Sequence, residues 1–327
     1  MAFEQETLGK MLSDPRIALI AADAIRNMDL KKEAAWEKTL SEIRNEYIYF
    51  GDLSRGFERL YRAADTGAWY YPLYSDAECA AEPARKGTNF VWFPSADPAA
   101  DGRPFILLVP GGGFVNVWNL TEGWPVAAQF NALGYHVFIL TYQVDDREKL
   151  LENNMLDFAR ALRLIRERAA FFHVQADRYI TCGFSAGGYL ISLWNTGKGY
   201  PAHSLPKPQA VFPVYPVTSL RIMIRAGFDD PESDQVLYGC SVQEAAETDY
   251  EIPEHAEGFP PCAIFVAAGD DLAGHSRALA DALEKLRIPC RLEVGPEGGH
   301  GFADGTGMCM AGWTERAVRW YEAQDQH

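Results

Sequence analysis

From about residue 88 onward the chain alternates short apolar runs with amphipathic stretches. "TNFVWFP", "RPFILLVP", "YHVFILTY", "RYITCGF", "QAVFPVYP", "PCAIFVAAG" and "CRLEVGP" have strand length and are apolar almost throughout. Between them, "GWPVAAQFNALG", "ENNMLDFARALRLIRERAAFF", "SAGGYLISLWN", "GHSRALADALEKLR" and "AGWTERAVRWYEAQ" read as helices. A strand covered on both faces has no polar side, and strands joined through helices run parallel. The alternation therefore predicts an α/β fold, with a mostly parallel central sheet and helices on both faces, over residues 86–327. One stretch, 217–260, is polar and punctuated by proline, and reads as an excursion over the top of the sheet.

Residues 1–85 have a different texture. "SDPRIALIAADAIRNMDL" offers Ser13 or Asp14 as a helix cap and Pro15 in the first turn. "KKEAAWEKTLSEIRNEYIYF" sets Trp36, Leu40, Ile43 and Tyr47 on one helical face, and "LSRGFERLYRAADTG" is a third helix candidate. This region is expected to form an N-terminal helical cap or lid.

The charge balance narrows the partners. Thirty Lys and Arg against 45 Asp and Glu leave a net charge of −15. Phosphate backbones and anionic bilayers are bound by clustered cations, so nucleic acid and membrane surfaces are not expected partners. The N-terminus lacks the basic and apolar regions of a signal peptide, and no apolar run nears the roughly 20 residues of a membrane span. The six cysteines have no metal-knuckle or redox spacing and read as buried, reduced thiols. A cytoplasmic protein with no metal and no organic cofactor is the expectation.

Chemistry enters at "GFSAGG". Ser185 follows a predicted strand and opens a predicted helix, as a nucleophile elbow requires. Gly183 and Gly187 keep the turn uncrowded, and the helix start presents free amides. "VPGGGFVNVW" puts Gly111, Gly112 and Gly113 at another strand end. Bare backbone there exposes amides that, with the amide of Ala186, can hold an oxyanion. A phosphate loop would continue with Lys-Ser or Lys-Thr, whereas Phe114-Val115-Asn116 follows.

"EGGHGF" sets His300 among glycines beyond the last strand, a position from which a general base can reach a neighbouring strand end. His255 and His275 fall near predicted strand tops and are pocket candidates. His136 reads as a core residue, His173 as a helix-end residue, and His203 and His327 as solvated. "VAAGDDLAGHS" supplies the orienting acid from Asp270 or Asp271. Asp271 is preferred, being further from the strand with more room to bend toward the histidine, and a helix cap is the other use of the pair. The order Ser185, acid, His300 is that of the α/β-hydrolase arrangement.

Residues 88–322 resemble the α/β-hydrolase esterases, in particular the hormone-sensitive-lipase-like and carbohydrate-esterase-like branches. Four blocks carry the resemblance: "VPGGGFVNVW" with "EGWPVAAQFNALGYHVFILTYQV", then "DFARALRLIRERAAFFHVQADRYITCGFSAGGYL", "FVAAGDDLAGHS" and "EGGHGF". The resemblance implies Ser185 as nucleophile, Asp271 as acid, His300 as base, and Gly112, Gly113 and Ala186 as oxyanion donors. Pro110 stands where the lipase-like branch has histidine, which favours the carbohydrate-esterase-like branch. The acid loop also lacks a usual Val-Pro.

These readings lead to a carboxylic-ester hydrolase working on small or acetylated esters, sugar esters included, through an acyl-enzyme. An amidase or peptidase would use the same elbow, and a binding protein on this scaffold is the reading from another class. The aromatics Trp69, Tyr70, Tyr71 and Tyr74, the pair Trp118 and Trp124, and Phe114 are pocket candidates.

Overall fold

The computed structural model describes residues 3–21, 33–46, 50–144 and 148–324. All seven apolar runs form strands: β2 Asn89–Phe93, β3 Phe105–Val109, β4 Val137–Thr141, β5 Tyr179–Phe184, β6 Ala210–Val214, β7 Cys262–Ala267 and β8 Cys290–Gly295. An eighth, β1 Tyr70–Pro72, comes from the aromatic stretch that carried no strand expectation. It is three residues long and ends on a proline, which suits an edge. The order is β1-β2-β4-β3-β5-β6-β7-β8. The pairs β1–β2 and β2–β4 are antiparallel, and every pair from β4 through β3 to β8 is parallel.

Successive strand residues serve opposite layers. Val91, Ile106, Leu108, Ile139, Ile180 and Phe212 point into one core, while Phe90, Leu107, Phe138, Leu140, Val211 and Ile264 point into the other. The principal helices are α1 Leu8–Leu12, α2 Leu40–Glu46, α3 Leu53–Asp65, α4 Trp124–Ala132, α5 Leu150–Glu167, α6 Ser185–Leu193, α7 Leu220–Arg225, α8 Pro231–Tyr238, α9 Ala273–Lys285 and α10 Trp313–Gln324. The first core is closed by α3, α4 and α10, the second by α5, α6 and α9.

The N-terminal region is woven into the first layer. Leu8, Met11, Leu40, Ile43, Phe57 and Leu60 are buried in the core that also holds Trp124 and Trp313. The long helix expected from Ser13 is, among the described residues, a single 3-10 turn, Pro15–Ile17, capped by Asp14. Residues 22–30 of that stretch, with Tyr47 of the second, lie outside the described residues. Gly51 sits at φ +64 where a side chain would strike Asp304, so this segment passes directly beside the loop after β8.

The 217–260 excursion contains α7 and α8 and is anchored by polar contacts. Ser219 Oγ donates to Glu251 Oε1 at 2.6 Å, and the Arg221 guanidinium pairs with Glu247 and Glu254. Of the six free cysteines, Cys182 and Cys262 are buried and the other four are half-buried, so the buried-thiol expectation holds for two.

Candidate active site

The carboxyl ends of β3, β5, β7 and β8 lie along one rim of the sheet, where open α/β sheets form their clefts. Ser185 follows β5 directly and begins α6. Its backbone is left-handed, φ +48, an uncommon state for a residue with a side chain. Glycine is required on both sides of the elbow. A Cβ on Gly183 would lie 2.5 Å from Gly187 O, and one on Gly187 would lie 2.1 Å from Val109 O.

His300 stands in the loop after β8. Its Nε2 is 2.9 Å from Ser185 Oγ and its Nδ1 is 2.9 Å from Asp270 Oδ2. Asp270, not Asp271, therefore meets the histidine. The turn after β7 folds Asp270 back, its amide donating to Ala267 O, so its carboxylate points beneath the loop. Asp270 Oδ1 accepts from the Leu272 amide at 2.8 Å. One buried carboxylate thus serves as helix-start acceptor and histidine partner together. Asp271, one residue on, projects into solvent.

Gly111, Gly112 and Gly113 approach from β3. Gly112 has φ +131, and a Cβ there would lie 2.2 Å from Asn116 O, so no other residue fits. The amides of Val115 and Asn116 both donate to Gly112 O, which closes the turn. Ala186, second in α6, has an amide without an intrahelical acceptor, as any helix start does.

A cleft of about 400 Å³ is lined by Gly112, Gly113, Trp118, Glu122, Ser185 and His300, among others. That volume suits a small ligand. A second lobe of about 480 Å³ shares Gly113 and Val115 and adds Phe114, Val144, Leu150 and residues of α8. The excursion thus borders the cleft, whereas none of the described residues before Gly112 lines either lobe.

Several expected pocket residues lie elsewhere. Trp124 is fully buried against Phe57, with ring centroids 5.4 Å apart. Trp69, Tyr71 and Tyr74 are core residues, Tyr71 stacking on Phe90. Aromatic bulk satisfies a core as readily as a cleft. His255 pairs with Asp249 at 3.2 Å, away from both lobes. His275 is buried, and its Nδ1 accepts from the amides of Thr218 and Ser219, which puts its proton on Nε2. Burial pushes it down to about 4, so it is neutral and fastens the excursion to α9. His136 is buried, as expected, beside Asp101, and His173 closes its short helix in a left-handed cap. His203 stacks on Trp194 rather than standing in water, and His327 lies outside the described residues.

Sequence reasoning missed two residues on this rim. Glu122 is buried on the cleft wall, and Tyr215, at the end of β6, donates to it at 2.9 Å. The one available signal was a carboxyl set in an otherwise apolar helix start, "NLTEGWPVAA".

Comparison with known proteins bears on this rim. The BD-FAE family model matches residues 92–244. Endo-1,4-beta-xylanase B of Butyrivibrio fibrisolvens is 25% identical over 224 residues, covering 65% of this chain and 34% of that protein. Acetylxylan esterase of Xylanibacter ruminicola is 24% identical over 216 residues, 62% of this chain and 41% of that protein. The chain thus spans well under half the length of these curated relatives. Among solved structures, the acetyl ester-xyloside bifunctional hydrolase of Caldicellulosiruptor lactoaceticus superposes with TM-score 0.64 at 24% identity, covering 78% of this chain and 96% of that one. Esterase B of Lactobacillus rhamnosis superposes with TM-score 0.62 at 17% identity, covering 79% and 86%. Sheet order, rim and likeness agree on the α/β-hydrolase fold, and the chain is similar to esterases and acetyl-ester hydrolases.

Proposed function

We propose that the chain is a serine carboxylic-ester hydrolase that forms an acyl-enzyme on Ser185, with acetate esters of hydroxylated alcohols, acetylated sugars among them, as its substrate class. The observation that carries this reading is the unbroken line from Ser185 Oγ through His300 to Asp270, with 2.9 Å at each step. In it, Ser185 Oγ attacks the ester carbonyl as its proton passes to His300 Nε2. Asp270 holds the proton of His300 on Nδ1 and stabilises the imidazolium that forms. The amides of Ala186, Gly112 and Gly113 receive the oxyanion. The C–O bond then breaks and the departing alcohol takes the proton from Nε2. Water activated by the same nitrogen releases the acid and restores Ser185. The names of the acetylxylan esterase and the acetyl ester-xyloside hydrolase support acetylated sugars as the substrate class.

The test has two arms. A fluorophosphonate should label the wild-type chain and spare Ser185→Ala. Acetate release should be measured from acetylated xylo-oligosaccharides and from a p-nitrophenyl acyl series, with matching anilides for the amidase alternative. Labelling of both proteins, or turnover of anilides above esters, would overturn the proposal.

A further inference from the structure

The glycine turn after β3 and the loop that carries His300 leave different strands, yet one carboxyl joins them. Glu122 Oε2 accepts from the Gly111 amide at 2.6 Å, and Glu122 Oε1 accepts from the Tyr215 hydroxyl at 2.9 Å. That hydroxyl accepts in turn from the Ala303 amide at 3.1 Å, three residues beyond His300. The Tyr215 ring meets the imidazole of His300 edge-on, with centroids 4.8 Å apart. A chain of contacts therefore runs from the glycine turn through Glu122 and Tyr215 to the histidine loop.

This carboxyl is costly to keep. Glu122 is only 6% exposed, and among the described residues no Lys or Arg pairs with it. Burial pushes its carboxyl above the usual range, against the pull of its two hydrogen bonds and of His300. An apolar group in its place would avoid that cost but would leave the Gly111 amide and the Tyr215 hydroxyl without their acceptor, so the acid answers to these two partners.

Its partners identify what it does. Both backbone groups of Gly111 are occupied, the amide by Glu122 and the carbonyl by the amide of Trp118 at 3.0 Å. Gly111 is thus pinned and is not itself an oxyanion donor. It also lies hard against the elbow, since a Cβ on it would come within 2.7 Å of Phe184 O and 3.0 Å of Ser185 Cβ. A shift of Gly111 would move the amides of Gly112 and Gly113 relative to Ser185. Tyr215 has φ +37, a strained value for a bulky residue, so its hydrogen bonds hold it where unconstrained backbone would not.

We propose that Glu122 is a positioning residue for the reaction: it clamps Gly111 so that the two following amides face the oxyanion, and through Tyr215 it sets the loop that carries His300. The proposal rests on the serine-hydrolase reading and adds to it a requirement for an acceptor at each carboxyl oxygen. Removing the Tyr215 hydroxyl breaks the link to both Glu122 and Ala303 while leaving the ring in place. A glutamine at 122 keeps the shape but turns one acceptor into a donor.

The test uses the full chain with Glu122→Gln and Tyr215→Phe, folding checked by circular dichroism, and a trifluoromethyl ketone that forms a tetrahedral adduct on Ser185. Each variant should lose about tenfold or more in kcat, with KM nearly unchanged, and should bind the ketone more weakly by a similar factor, because misplaced donors cost the transition state and not the ground state. Variants that unfold at lower urea but keep kcat and ketone affinity within about twofold would reduce Glu122 to packing and overturn the proposal. Tyr215→Phe decides alone if Glu122→Gln fails to fold. Fluorophosphonate labelling of the wild type runs alongside: its absence would sink the serine reading itself, whereas labelling with undiminished variants would sink only the clamp.

Discussion

The backbone amide of Asp52 donates to Asp304 Oδ2 at 3.1 Å, joining residues 252 positions apart. Asp304 sits four residues after His300, and its carboxylate also accepts from the Thr306 amide at 2.9 Å and the Thr306 hydroxyl at 2.8 Å. The N-terminal region is thus bonded to the histidine loop, a contact through which it can support that loop. Asp304→Ala would leave three donors unpaired, the Asp52 amide buried and the two of Thr306 half-buried. The expected loss is about 1–3 kcal/mol of folding stability, read as a lower urea midpoint, together with reduced kcat as the loop loosens. If kcat rises instead, the N-terminal region restrains access as a lid does.

Asp270 and Asp271 are adjacent, yet only the first faces His300. Asp270→Asn would present an amide to Nδ1 and favour the tautomer that cannot accept the proton of Ser185. On the proposed mechanism a loss in kcat of roughly 10³–10⁴-fold is expected, the scale seen when the acid of a Ser-His-Asp triad is neutralised. Asp271→Asn, in solvent, should stay within about twofold, since surface substitutions away from special features have small effects. Ester turnover of the two variants under identical conditions decides between the neighbours.

What was legible follows from what each element demands. The strands β2 to β7 were plain because burial on both faces leaves few polar positions to blur them, whereas β8, at the sheet edge, carries Arg291 and Glu293 and is only partly buried. The serine, glycine and histidine loops were plain because tight turns at strand ends admit only small neighbours. Asp270 against Asp271 was not, because adjacent side chains differ only in which way a turn rotates them. Trp124 and Tyr71 were misread for another reason: a large ring fills a core or a cleft equally well, and only the packing partner tells which. Glu122 and Tyr215 were hidden because their pairing spans 93 positions and leaves no local spacing to read.

Gly112 and Gly113 separate two kinds of strain. At Gly112 an added Cβ would meet Asn116 O at 2.2 Å, whereas at Gly113, with φ +62, it would meet nothing within 4 Å. Gly113→Ala should therefore cost only the left-handed backbone penalty, about 1–2 kcal/mol. Gly112→Ala must move the turn itself, and a fall in kcat of roughly 10²-fold or more is expected, with Gly113→Ala retaining much more activity. The reverse ranking would mean that the turn does not hold its amides as described.

Asp157 gives the chain a pH-dependent stability that is separate from catalysis. It is fully buried and accepts from the Tyr74 hydroxyl at 2.6 Å, the Gln143 amide at 2.9 Å and Gln143 Nε2 at 2.7 Å. Burial pushes its carboxyl from 3.8 up to about 6, outweighing the hydrogen bonds that pull the other way. The folded chain then holds the proton longer than the unfolded one. The contribution to stability is fully present below about pH 4 and is lost as pH rises through about 6, amounting to roughly 3 kcal/mol at most. Asp157→Asn cannot titrate, so the wild-type folding free energy minus that of the variant isolates this group. Urea unfolding at several values between about pH 4 and pH 7 should show that difference falling as pH rises. A difference that climbs over the same window would mean that the three hydrogen bonds dominate and that the carboxylate is the form the fold prefers.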